Sequence, residues 1–376
     1  MRRIIGLVLA GLGTFLIVVA IALPTFVVGQ ILKFPLNEFE TAIFTGSNVS
    51  YFSLAYLTEE TGVTERASYT IKGDASLGNG STAVWNEVEY AYDETNDQEI
   101  GLTTQRAAFN RKTAQLVNCC GANINGNSTI RQSGIVGWVF PFNTQKQTYM
   151  IFDTTLDKPM PYKYSGTATV DGVATYKYIE NVPPTQFTTL SVPGYFVGSS
   201  AKTVSAPEMY SRYVIYYVDP ETGALVDVNN YEELALANPT TGVTGLILSK
   251  GDLTMEPSSV QSVINLDNSG RNELFLLRVL LPIVLGVVGL ILLIVGIWLG
   301  RRRRGDDAEA VEAPLASPAA PLAADEASAT TDPNLDGHAE TAVLTPDEQP
   351  AEASAEAPAE AEAAAPEEAP APADES

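Results

Sequence analysis

Two apolar runs, each flanked by arginines, constrain this chain more than any other feature. The first covers residues 4–32 and follows Arg2 and Arg3. The second covers residues 279–299 and precedes Arg301, Arg302, Arg303 and Arg304. A bilayer core of about 30 Å is crossed by about 20 helical residues, so each run is long enough to span. Lys and Arg are held on the cytoplasmic side, which makes both arginine clusters topology anchors facing inward. The expected layout is a cytoplasmic start at 1–3, a transmembrane helix at 4–32 and an extracytoplasmic domain at 33–275. A second helix follows at 276–300, then a basic anchor at 301–304 and a cytoplasmic tail at 305–376. This is a two-pass plasma-membrane protein with both termini inside.

A cleaved signal peptide competes with the first span, since Ala20-Ile21-Ala22 is a passable cleavage pattern. The apolar stretch continues through Phe26, Val27, Val28 and Ile31, well past a usual signal core, so an uncleaved anchor is expected. Arg278, at the outer edge of the second span, is expected to extend its stem to the interface.

The net charge of −23 divides unevenly. Residues 33–275 carry 26 acids against 15 bases, and residues 305–376 carry 19 acids with no Lys or Arg. Phosphate backbones are bound by clustered cations, so nucleic acid is excluded as a partner. The tail is rich in Ala, Pro and Glu and lacks aromatics. It cannot bury enough apolar surface to offset its ordering entropy, so it is expected to be disordered. A basic cytoplasmic protein would be its natural partner.

The region between the spans has a mainly β (α+β) signature, with antiparallel sheets expected. Residues 210–218 read YSRYVIYYV, dense in strand formers, and residues 82–92 are similar. Asp171-Gly172 separates two β-prone runs and marks a type I′ hairpin. Residues 232–236 suggest a helical turn, and no long amphipathic helix is expected before the second span. Residues 109–117 resemble 218–226: in each an Asx residue (Asn110, Asp219) can cap a turn, and a Thr (Thr113, Thr222) follows. Gly223 suits a left-handed bulge position. The simple explanation is one turn chemistry used twice, and the sharper one is a pair of related β half-domains.

Catalytic signals are sparse. The only histidine, His338, lies in the tail, so the domain has no imidazole base for a serine or cysteine triad or for a common zinc site. No cofactor is called for. Glu87 and Glu89 would share one face of a strand, a geometry open to carboxylate-based glycan hydrolysis, but acids this numerous are expected on solvated faces. Asp93, Glu94, Asp97 and Glu99 cluster without EF-hand spacing.

Cys119 and Cys120 are adjacent on the expected oxidising side. A vicinal disulfide is the leading reading, while two free thiols or intermolecular bridges remain open. Trp138, Phe140 and Phe142, with the 210–217 aromatics, could line an apolar groove, although ordinary sheet core is the favoured account of them.

Several segments resemble the actinobacterial porin PorA-like family of two-span envelope proteins, a domain of unknown function. They are Asn110-Arg111-Lys112-Thr113, Val117-Asn118-Cys119-Cys120-Gly121, Ser133-Gly134-Ile135 and residues 140–149 with Phe152-Asp153. Tyr164-Ser165-Gly166, Val170-Asp171-Gly172, Val182-Pro183-Pro184 and Asp219-Pro220-Glu221-Thr222-Gly223 extend the likeness over roughly residues 1–300. Asn110 stands where the family has Asp, and Val139 where it commonly has a basic residue. The resemblance implies a role in a lipid- and glycan-rich envelope, linked for some members to lipoglycan or glycolipid assembly. A bilayer pore needs a closed barrel or a helical bundle, and two helices line no channel. The expected function is therefore non-enzymatic: binding or transfer of amphipathic envelope lipids or glycolipids by the ectodomain. The alternative is a scaffold that docks other proteins through ectodomain and tail. The architecture also resembles scavenger-receptor lipid transporters, as an analogy only.

Overall fold

The computed structural model describes residues 2–301. The calls on Arg302, Arg303, Arg304, His338 and the tail at 305–376 lie outside the described residues. Two helices bracket a sheet: Arg2–Ile31 and Pro257–Arg301, both long and apolar enough to cross a membrane. Each contains a π-helical turn, at Leu23–Val27 and at Leu276–Leu280. The helices pack antiparallel along a seam of small residues. Gly6 lies against Gly296 and Gly300, Gly13 against Gly289, and Gly286 against Ala20. Arg2, Arg3 and Arg301 therefore share one end of the pair.

Between them the strands are β1 (Phe39–Ser53), β2 (Thr58–Gly73), β3 (Thr82–Asp93), β4 (Gln98–Asn110), β5 (Leu116–Val117) and β6 (Asn123–Ile124). There follow β7 (Tyr149–Asp153), β8 (Lys158–Val170), β9 (Val173–Pro193), β10 (Thr203–Val218), β11 (Leu225–Ala237) and β12 (Thr244–Met255). They form one 12-stranded antiparallel sheet in the order β5-β4-β3-β2-β1-β12-β11-β10-β9-β8-β7, with β6 against β4. Two meanders are thus joined where the first long strand pairs with the last. The sheet curls until its edges approach each other, and Ile135 bridges them: it pairs with Gln115 beside β5 and with Ile151 of β7. Ile135 N–H donates to Met150 O at 2.8 Å and its carbonyl accepts from Phe152 N at 3.2 Å.

One turn builds most of the hairpins. At residues 53–57, 93–97, 110–114, 153–157, 219–223 and 238–242 a Ser, Asp or Asn side-chain oxygen accepts backbone N–H bonds from the residues that follow. The turn closes on a left-handed residue: Leu57, Asp97, Ala114, Asp157, Gly223 or Gly242. Repeated turn chemistry within one sheet explains the internal likeness without a division into half-domains. Asp93 is spent as such a cap rather than joining a cation cluster. The Asp171-Gly172 hairpin joins β8 and β9 with both residues at positive φ, as a type I′ turn demands.

Two expectations are corrected. Residues 232–236 lie in β11, because pairing with β10 and β12 overrides local helical preference. Residues 257–275 form an amphipathic helix continuous with the second apolar helix, where no long amphipathic helix is expected from the sequence. Pro257 starts it, and Val260, Val263 and Ile264, spaced for one face, bury into the core. This segment clasps the sheet: Arg66 Nη1 meets Glu256 Oε1 at 2.6 Å, Gln261 donates to Asp171, Thr222 donates to Asp267, and Arg271 pairs with Asp219 at 3.4 Å. Lys112 donates to Gln30, and Arg278 to Asn143 Oδ1 at 3.0 Å, tying the same end of the sheet to both helices.

Candidate functional site

Strand alternation puts every second side chain inside the curl, and register aligns them across strands. Glu40, Ile71, Glu87 and Gln105 form one inward row over β1, β2, β3 and β4, and Ala42, Tyr69, Glu89 and Thr103 form the next. Across the curl, Arg212 of β10 faces Glu232 of β11 as a direct cross-strand pair. These residues enclose a cavity of about 490 Å³. Its lining includes apolar side chains, among them Ala42, Phe44, Ile71, Ile151, Leu253, Met255 and Val263. Interspersed with them are polar ones, including Arg212.

Arg212 Nε donates to Asn230 Oδ1 at 2.8 Å. Its Nη1 lies 3.7 Å from both Asp153 Oδ2 and Glu180 Oε2 and 3.4 Å from Tyr162 Oη. Tyr210 Oη stands 3.4 Å from Asp153 Oδ2 and 3.4 Å from Glu232 Oε2, holding those two carboxyls close together. Tyr69 donates to Glu89. Glu180 is 1 % exposed, yet neither of its oxygens has a hydrogen-bond partner among the described residues.

Burial dominates the proton chemistry. It pushes Glu87 up to about 8, with the Glu89 charge adding to the effect. Glu65 rises to about 7 through burial and the charges of Glu89 and Glu232. Glu232 and Glu180 also rise to about 7, because burial outweighs the help of Arg212. Burial opposes the charge of Arg212 too, but the surrounding tyrosines and Glu180 hold its pKa well above the ordinary value. The polar lining therefore presents a fixed cation, tyrosine hydroxyls and carboxyls that exchange protons near neutrality. Among the described residues no three His, Cys, Asp or Glu side chains are placed to share a metal ion.

Of the aromatics singled out in the sequence, Trp138 lines the cavity and lies in reach of Glu87. Phe140 is fully buried in the core against Tyr149 and Tyr178, and Phe142 stacks on Phe34 at 4.7 Å. Tyr210 and Tyr216 face the cavity, whereas Tyr213 of the same strand is exposed. Glu87 and Glu89 do share a face, but it is the cavity wall, not a solvated surface. Asn110 and Asp219 cap their turns, and the Thr113 and Thr222 hydroxyls accept the N–H of Gln115 and Ala224. Cys119 and Cys120 are joined in a vicinal disulfide on an exposed loop, Cys120 adopting φ 60°. Sequence reading missed Arg212, Asp153, Glu180 and Glu232 as partners, since only strand register across β7 to β11 assembles them.

No curated protein matches the chain significantly. The profile of the family described as Porin PorA matches residues 5–298, which takes in both apolar helices and the whole sheet, and the chain belongs to that family.

Proposed function

We propose that this protein binds, and passes on, an amphipathic lipid of the cell envelope. In this reading residues 33–275 lie outside the plasma membrane, and both termini lie inside. The observation that carries it is the mixed lining of the cavity, in which apolar and ionisable side chains stand side by side. Phe44, Ile71, Leu253, Met255 and Val263 suit a hydrocarbon chain, while Arg212, Tyr210 and the carboxyls suit a polar head. A volume of about 490 Å³ is in the range of small-molecule sites. The apolar helix pair is tied directly to the sheet, so a lipid leaving the bilayer would meet this domain first. Outward residues such as Ser68, Thr70, Lys72, Lys250, Asp252 and Thr254 suit water and not the lipid face of a membrane barrel.

The test uses the full chain purified from an actinobacterial host. Native mass spectrometry followed by organic extraction is expected to find lipid at fixed stoichiometry, and Ala42→Trp, which fills the cavity, is expected to lose it. A lipid-free wild-type protein, or equal lipid in a folded Ala42→Trp variant, would overturn the reading.

A further inference from the structure

The cavity holds far more acid than base. Glu40, Glu87, Glu89, Asp153 and Glu232 line it, and Glu180 lies behind the lining Arg212, 3.7 Å from its Nη1. Arg212 is the only Lys or Arg among the lining residues, and it is already engaged by Asn230, Asp153 and Glu180. Buried carboxyls are ordinarily paired, because an isolated buried charge is costly. Here Glu180, almost wholly buried, is met only by the Arg212 guanidinium at 3.7 Å and the nearby Tyr162 hydroxyl. The wall therefore carries more carboxyl groups than cations.

Resting on the lipid-binding reading above, we infer that the head group taken by this cavity carries a primary ammonium. Such a group brings one positive charge and three N–H donors. That is the complement of a wall of carboxylate and tyrosine oxygens. A phosphate head would meet those acids and find the one guanidinium already neutralised. An uncharged polyol would supply donors but leave the charge imbalance in place. The raised proton affinity of Glu87, Glu65 and Glu232 comes first from burial, and neighbouring carboxylates add to it.

The experiment uses the full chain in zwitterionic nanodiscs with three photoreactive probes of one chain length: an alkylammonium, an alkyl glucoside and an alkyl phosphate. Crosslinks are mapped by peptide mass spectrometry. The alkylammonium is expected to label the cavity wall at least about tenfold better than either of the others. It is also expected to release protons at pH 7 as it ionises neighbouring carboxyls, and Glu232→Gln is expected to narrow the preference. Equal or better labelling by the glucoside or the phosphate would overturn this inference while leaving the lipid reading intact. Ethylammonium, which has no long chain, separates the two claims. If no alkyl probe labels the cavity but ethylammonium binds with proton release, the charge inference stands for a free amine and the lipid reading falls. If neither binds, both fall.

Discussion

The Arg212 guanidinium donates through Nε to Asn230 Oδ1 at 2.8 Å, which fixes its plane against β11 and turns its outer nitrogen toward Asp153 and Glu180. One cation thus serves several buried acids drawn from different strands. Removing it leaves those carboxyls without a counter-charge, and removing one member of a buried ionic set is strongly destabilising. Arg212→Gln is expected to lose about 2–4 kcal/mol at pH 7. The loss should shrink at pH 5, where the carboxyls take up protons. Denaturant melts at both pH values check this, and an equal loss at both would contradict it.

The same acids set a pH dependence for the wild-type protein. Glu65, Glu180 and Glu232 stand at about 7 and Glu87 at about 8 when folded, all above an ordinary glutamate. A carboxyl raised in this way binds more protons folded than unfolded, so its stabilising contribution is complete at low pH and disappears as pH rises through its folded value. Thermal stability is expected to fall steadily from pH 5 to pH 8.5. The contribution is on the order of 1 kcal/mol per group once water in the cavity is allowed for. A flat profile over that interval would argue that these carboxyls are solvated. Replacing Glu87 by Gln should flatten the upper part of the curve.

Much of the architecture was legible because it rests on local signals. The two long apolar helices, the tyrosine-rich β10 run and the Asp171-Gly172 turn all depend on residues within a few positions of each other. The turn at residues 110–114 and 219–223 was legible too, and a search for Asp, Asn or Ser four residues before a left-handed-tolerant residue would have found further copies. The 257–275 helix was legible in principle from Val260, Val263 and Ile264, but it adjoins β12 and lacks a side-chain N-cap bond. The cavity was not legible. Arg212 and Glu232 are neighbours only through the β10–β11 register, and Asp153 joins them only because the sheet curls back on itself. Even the Glu87–Glu89 pair, correctly placed on one face, gave no sign of whether that face was inner or outer.

The helix seam offers a prediction that is independent of the cavity. A side chain at Gly13 would collide with the carbonyl of Gly289 and the backbone of Leu293, whereas Gly11 faces open space. Gly13→Val should force the helices apart and cost about 2 kcal/mol or more of the stability of the pair. Gly11→Ala should be neutral. Proteolysis and thermal melts of the full chain in nanodiscs distinguish them, and equal behaviour of the two variants would mean that the seam carries no packing energy.

The last prediction concerns two copies of one turn. Ala114 and Gly223 occupy the same left-handed position, at φ 57° and 80°, and each carbonyl accepts a backbone N–H: that of Val136 for Ala114 and that of Phe140 for Gly223. Ala114 shows that this conformation accepts a methyl group when the surroundings have room. At Gly223 they do not, because a methyl there would run into the carbonyls of Phe140 and Pro141. The strand bridge between Val139 and Ala224 would have to open to admit it. Gly223→Ala is therefore expected to cost at least about 2 kcal/mol, well beyond the usual penalty for alanine in this conformation. Ala114→Gly should change stability by no more than about 1 kcal/mol, since relief of the left-handed strain offsets the lost methyl burial and the added chain freedom. Chemical denaturation of the two variants side by side tests the claim, and similar losses would show that backbone strain, not the neighbouring Phe140, sets the demand for glycine.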